Sequence, residues 1–139
     1  MLLEERTAGK GRALGAALWA LQVLLAVQFA FAGVLKVTGD PAMVEMFATI
    51  GVGQWFRYGV GALEVAGAVG VLIPRLSGLA ALGLVCLMVG ASVTNVFVLG
   101  TNPLVPLVAL LMAALASWGR WPQTLLGGSG RRVAERRSA

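Results

Sequence analysis

Four apolar runs, each about 16–24 residues long, follow one another along a chain of 139 residues. They cover residues 13–36, 54–73, 76–99 and 103–118. A helix rises about 1.5 Å per residue, so about 20 apolar residues cross a hydrocarbon core about 30 Å thick. Four such runs in so short a chain leave no length for a soluble domain. The pattern predicts an all-α polytopic membrane protein: four transmembrane helices in an up-down bundle, with a short interfacial helix at 41–50 between the first and second. Composition agrees, with 58% hydrophobic residues and a mean hydropathy of +0.85. Only 12% of residues are charged, against about 25% in ordinary soluble domains.

The second run, QWFRYGVGALEVAGAVGVLI at 54–73, carries one carboxylate, Glu64. It lies about 13 Å along the helix from Trp55, close to the bilayer midplane. An ionised acid at that depth costs at least about 2.5–3.5 kcal/mol, so it must face the protein interior and be protonated, paired or reached by water. Ala62, Ala66 and Gly70 form a small-residue ridge that lets a neighbouring helix approach. Two readings of Glu64 stand side by side: a proton-relay or ligand-binding acid, and a packing acid bonded to a neighbouring helix.

Other polar residues cluster at related depths. Gln28 is eight residues before Lys36, about 12 Å deeper, and so level with Glu64. It suits a bond to Glu64 or to a ligand, or a plain interhelical hydrogen bond; Gln22 lies in the same run. Lys36 closes the first run, where it either snorkels to the interface or turns inward as counter-charge to Glu64 or Asp40. In the third run Ser92 and Asn95 share a helix face with Met88. The candidate ligand-binding set is therefore Gln28, Glu64, Met88, Ser92 and Asn95, with Glu64 and Lys36 as a candidate acid–base pair. Cys86 is the single cysteine and reads as a packing residue. Histidine is absent, which excludes histidine-ligated haem or zinc and Ser-His-Asp chemistry. No metal site is expected and no cofactor motif is evident.

Between the first two runs, Asp40-Pro41 is an N-cap and first-turn pair. Met43, Phe47 and Ile50 follow at helical spacing before Gly51 and Gly53, as in an amphipathic helix lying at the interface. Arg57, Trp55 and Tyr58 are expected to anchor the next span there. The start of the chain imitates a secretory signal, with Ala30-Phe31-Ala32 as a cleavage-like site, but its apolar run exceeds the usual 7–15 residues or so and is read as a retained span. Residues 1–12 read as a polar, mobile tail, and 122–139 as a basic, disordered one. With both termini on one side, that side holds nine of the eleven Lys and Arg: Arg6, Lys10, Arg12, Arg75, Arg120, Arg131, Arg132, Arg136 and Arg137. The opposite side holds Lys36 and Arg57. The positive-inside rule then places both termini in the cytoplasm of a bacterial-type inner membrane, with the tail against anionic lipid. The lipid bilayer is the expected partner. Nucleic acid is not, because no soluble basic face exists.

The stretches FAFAGVLKVTGDP, MFATIGVGQWFRYGVGALEVAGAVGVLIPR and LGLVCLMVGASVTNVF span most of residues 29–97. In order and spacing they resemble the DoxX-like family of small four-helix membrane proteins. The matching points of most weight are the Gly-x-x-Lys of Gly33 and Lys36 and the Glu64 of LEVAGA. The resemblance implies an up-down four-helix bundle. It also implies a link to membrane redox complexes, since the family is named for a subunit of a thiosulfate:quinone oxidoreductase, or to chaperoning of membrane proteins. Relatives often carry a histidine where this chain has Asn95, which weakens a proton-transfer role at that position.

Several functions fit these residues. In the first, the bundle binds a quinone-like or other small lipophilic molecule, with Glu64 giving or taking protons, as the accessory subunit of a membrane redox system. In the second, it is a structural or assembly subunit that packs a membrane protein partner, or a second copy of itself, through its Gly and Ala faces. In the third, it is a membrane-embedded acid–base enzyme, an isomerase or cyclase using Glu64 and Lys36. A channel is the weakest reading, because so few polar residues line no aqueous path.

Overall fold

The computed structural model describes residues 1–123, so the basic tail expected at 122–139 lies almost wholly outside them. Helix α1 runs Leu2–Thr38, α2 Pro41–Ile50, α3 Gln54–Leu72, α4 Ser77–Thr94 and α5 Leu104–Arg120. A π-turn, Asn95–Leu99, extends α4, and a single 3₁₀ turn, Trp121–Gln123, follows α5. The described fold is all-α. The segments Leu2–Thr38 and Ser77–Leu99 are long and apolar enough to cross a membrane; α2 and α5 are shorter apolar helices.

Residues 2–12 depart from the expected mobile tail: they are the first turns of α1, exposed throughout. They hold no proline, and the helix runs on through Gly9 and Gly11 although each costs about 1 kcal/mol relative to alanine. Glu4 and Glu5 sit in the first turn, where negative charge complements the helix dipole, and the apolar run behind them supplies a nucleus from which helix propagates. The helix stops at Gly39, whose φ of 80° turns the chain out while the Asp40 N–H reaches back to the Leu35 carbonyl at 3.0 Å. Asp40 then caps α2, accepting from the Ala42 N–H at 3.1 Å, and Pro41 occupies the first turn.

The packing pairs α1 with α3 and α4 with α5; α3 also meets α4, and α1 meets α5. Gln22 of α1 bonds the Val71 carbonyl late in α3, whereas Lys36 at the far end of α1 bonds Glu64 earlier in α3. The two helices are therefore antiparallel. So are α4 and α5, since Ser117 donates to the Gly78 carbonyl at 3.0 Å. Small side chains set the spacing, but only one member of the expected ridge takes part: Gly70 is buried against α4, while Ala62 and Ala66 face outward. The close approaches are Gly33 against Gly61, Gly67 against Leu84 and Gly70 against Ala80. A Cβ on Gly33 would lie 2.7 Å from the Gly61 carbonyl oxygen, and one on Gly61 would lie 2.9 Å from the Gly33 oxygen.

The buried apolar core is unevenly spread. Leu25, Ala26, Ala68, Val71, Ala81, Leu84, Ala113 and Ala116 fill the half near Gln22. Around Glu64 fewer core residues remain, chiefly Phe29, Met88 and Ala109, with Phe47 reaching in from α2.

Gly61→Leu is expected to force α1 and α3 apart and lower stability by about 2–3 kcal/mol, read as the thermal midpoint in mild detergent. Gly59→Ala, where an added Cβ meets nothing within 4 Å, should be neutral or slightly stabilising. Equal midpoints for the two variants would show that the crossing is not tight.

Candidate functional site

The Gly33–Gly61 crossing sets the geometry of the site. Each glycine precedes a charged residue by three positions on the same helix face: Lys36 follows Gly33, and Glu64 follows Gly61. The Lys36 Cβ lies 2.9 Å from where a Gly61 Cβ would be, so Lys36 is level with Gly61 and Glu64 is about 5 Å further along α3. Helical side chains tilt toward their own N-terminus. In antiparallel partners that tilt brings the lysine and the glutamate toward each other. Lys36 Nζ lies 3.1 Å from Glu64 Oε1 and 2.9 Å from Oε2. Glu64 is 3% exposed and the lysine side chain 13%. Of the two positions open to Lys36, the structure takes the inward one.

Arg57 corrects a second expectation. Instead of anchoring α3 at the interface it is buried. Its guanidinium donates to the Lys36 carbonyl oxygen, one of the carbonyls that the end of α1 leaves unpaired. A cation at a helix C-terminus is also favoured by the dipole. Gln54 orients it: Arg57 Nε donates to Gln54 Oε1 at 2.7 Å, and Gln54 Nε2 donates to the Val44 carbonyl of α2 at 3.1 Å. The guanidinium stacks 4.3 Å above the centre of the Tyr58 ring. A hydrogen-bonded chain thus runs from α2 through Gln54 and Arg57 to the backbone of Lys36. In sequence, the signal for it is a glutamine and an arginine spaced i, i+3 at the start of α3, a pair that shares a helix face.

Lys36 and Glu64 form part of the wall of a cavity of about 510 Å³, within the range of about 300–1,000 Å³ of small-molecule sites. Gln28, Thr94, Asn95 and Asn102 add polar atoms, while Phe29, Phe47, Phe56, Met88 and Leu99 supply apolar wall. Among the described residues the Gln28 amide has no hydrogen-bond partner; it bonds neither Glu64 nor a neighbouring helix. Asn95 belongs to the π-turn, and its amide faces the Asn102 carbonyl at 3.5 Å. Ser92 is apart from the others: it does not line the cavity, and its hydroxyl donates to the Met88 carbonyl of its own helix at 2.8 Å. Cys86 lines the cavity from an exposed position rather than packing in the core.

A second polar cluster occupies the other half. Gln22 is fully buried; its Nε2 donates to the Val71 carbonyl at 2.8 Å, and its Oε1 accepts from Arg120 Nε at 2.7 Å. Arg120, expected at the membrane surface, is instead buried, with its guanidinium 5.5 Å from the centre of the Trp19 ring. This cluster ties α1, α3 and α5 together.

Breaking the ion pair on one side should cost more than removing it. Lys36→Met leaves the buried carboxylate without its partner and is expected to destabilise by about 3 kcal/mol. Adding Glu64→Gln to that variant should restore most of the loss in thermal midpoint. A double variant as unstable as the single one would mean that the loss does not come from an unpaired buried carboxylate.

A family model described as the DoxX-like family matches residues 20–117. Comparisons with curated proteins and with solved structures gave no match. The matched stretch covers well over half of the chain and takes in the glycine crossing, the ion pair, the Arg57 cap and the whole cavity wall; the chain belongs to the DoxX-like family.

Proposed function

We propose that this chain is a four-span, up-down membrane protein whose cavity binds a neutral, quinone-like lipophile beside Lys36 and Glu64, as the accessory subunit of a membrane redox system. The observation that carries this reading is the placement of that ion pair, with both members in the wall of an otherwise largely apolar cavity. Lysine and glutamate together contribute no net charge, so an anionic or cationic ligand gains little from them. A neutral molecule with a carbonyl or hydroxyl oxygen fits better. The ammonium donates to such an oxygen, the carboxylate accepts from a hydroxyl, and the Gln28 amide can do either. Reducing a quinone takes up protons along with electrons; the Lys36 ammonium beside the oxygen can give one, and the Glu64 carboxylate can take up another and pass it on. The electrons would come from the redox partner to which this subunit is accessory.

Family membership and the two long apolar helices point to the membrane. The orientation with both termini cytoplasmic gains support from burial. Of the five described cations at the terminal end, Arg6, Lys10, Arg12 and Arg75 are exposed and Arg120 is buried, whereas Lys36 and Arg57, the two at the opposite end, both turn inward. The positive bias of the exposed surface thus falls on the terminal side, where anionic lipid is the natural neighbour.

The test is native mass spectrometry of the full chain released from mild detergent, wild type beside Glu64→Gln, with thermal midpoints to establish that both are folded. A discrete lipophile retained by the wild type should be held about tenfold more weakly, or lost, in the variant. No small molecule on either protein, with the same protein partner kept by both, would replace this reading with an assembly role.

A further inference from the structure

A second depression lies on the outer side of the α3–α4 contact. It is an apolar groove of about 560 Å³, floored by Gly67, Gly70 and Gly83 and walled by Leu63, Leu79 and Leu87. Two residues, Cys86 and Leu87, belong to both this groove and the cavity. The two spaces therefore adjoin at the depth of Glu64. From there the groove follows α4 down to Leu76, about 16 Å along the helix axis. The floor is low for two reasons. Gly67 and Gly70 bring α3 against Leu84 and Ala80 of α4, and Gly83, where an added Cβ meets nothing within 4 Å, leaves its own space open.

We propose that the ligand is an amphiphile with a long hydrocarbon tail, its polar head at Lys36–Glu64 and its tail lying in the α3–α4 groove. This rests on the lipophile reading above and specifies the class of molecule. The argument is continuity. The cavity has polar atoms along part of its wall, whereas the adjoining groove is lined by Leu, Ala, Gly and one cysteine. A compact head group fits the first and has nothing to bond in the second. A tail gains from the second by covering apolar surface, and it needs no polar partner. The same geometry gives the route in. The groove opens along the face where Leu63, Gly83 and Cys86 are exposed, so a membrane-dissolved amphiphile slides in sideways, head first, without passing through water. Gly83 and Cys86 are thereby specificity-determining positions: one keeps the tail's path clear, and the other marks the junction of head and tail.

Two probes separate head from tail: duroquinone, which has no tail, and decylubiquinone, which has a ten-carbon one. Both are titrated against the full chain in mild detergent, for wild type and for Gly83→Trp, with Gly83→Leu as a smaller filler of the same space. Alkylation of Cys86, the single cysteine, by N-ethylmaleimide is followed by mass in parallel. The expected result is that Gly83→Trp weakens decylubiquinone binding about tenfold and leaves duroquinone unchanged, with Gly83→Leu between them. Bound decylubiquinone should slow Cys86 alkylation several-fold in the wild type. Decylubiquinone that binds with Cys86 fully reactive and is indifferent to both fillers would overturn the tail groove while leaving the head-group site standing. Gly83→Trp expelling a phospholipid or splitting a dimer, with decylubiquinone affinity unmoved, would assign the groove to that other occupant and overturn the proposal. Failure of both quinones to bind the wild type would remove the quinone-like site and the tail groove together.

Discussion

The arrangement depends on two opposite charges held in contact where water is scarce. Withdrawing a lysine and a glutamate from water costs several kcal/mol per ion, and their attraction repays it only when the geometry is close and the remaining polar atoms are satisfied. Both conditions are met by neighbouring residues. Lys36 reaches both carboxylate oxygens, and Arg57 fixes the backbone from which Lys36 projects. The contact requires α1 and α3 to be almost touching, and that requires glycine at 33 and 61. A side chain at either position would meet the facing backbone and push the helices apart, away from the spacing at which the ion pair makes both its bonds. The two Gly-x-x-charge patterns are one device, with the backbone approach at its centre and a charged residue on each side.

The two halves of the molecule serve different ends. In the Gln22 half, alanines and leucines interdigitate, and the buried polar atoms are matched within the protein: Gln22 with Val71 and Arg120, Ser117 with Gly78. In the Glu64 half, core residues are fewer and the wall includes the Gln28 amide, which has no bond to any described residue. A polar group in such a wall is costly unless something bonds to it. Close packing in one half lets the other keep a cavity without losing the helix arrangement, since helices clamped at one end need fewer contacts at the other.

Much of this was legible in the sequence. The apolar runs gave the helices, Asp40-Pro41 gave the start of α2, and the isolated Glu64 is buried against a partner, as an acid in an apolar run must be. What stayed hidden has a common physical cause. In a soluble helix the polar face reveals the buried one, but α1 and α4 are apolar nearly all round, so periodicity does not say which side meets protein and which meets lipid. The ridge read from spacing, Ala62, Ala66 and Gly70, therefore holds only at Gly70; the other contacts are made by Gly61 and Gly67, one step around the helix. The same gap misplaced the arginines. Arg57 and Arg120 stand near helix ends, where snorkelling is the ordinary expectation. Their burial is set by partners distant in sequence, the end of α1 for one and Gln22 for the other. Ser92 was grouped with Asn95 by its helix face, yet a serine in a helix can satisfy itself on its own backbone, and here it does.

Arg57 also removes the independence of α2 from the ion pair. Phe47 of α2 is part of the cavity wall, and Val44 of the same helix holds Gln54, which orients Arg57, which in turn caps α1 at Lys36. The glycines that flank α2, Gly39 at φ 80° and Gly51 at φ 82°, let the chain turn sharply on either side of it. The position of α2 and the position of the lysine ammonium are thus set by one connected network. An amphipathic helix at the mouth of a cavity can be a passive cover, but this one is tied through Gln54 and Arg57 to the backbone from which the charge projects, so cover and charge form a single structural unit.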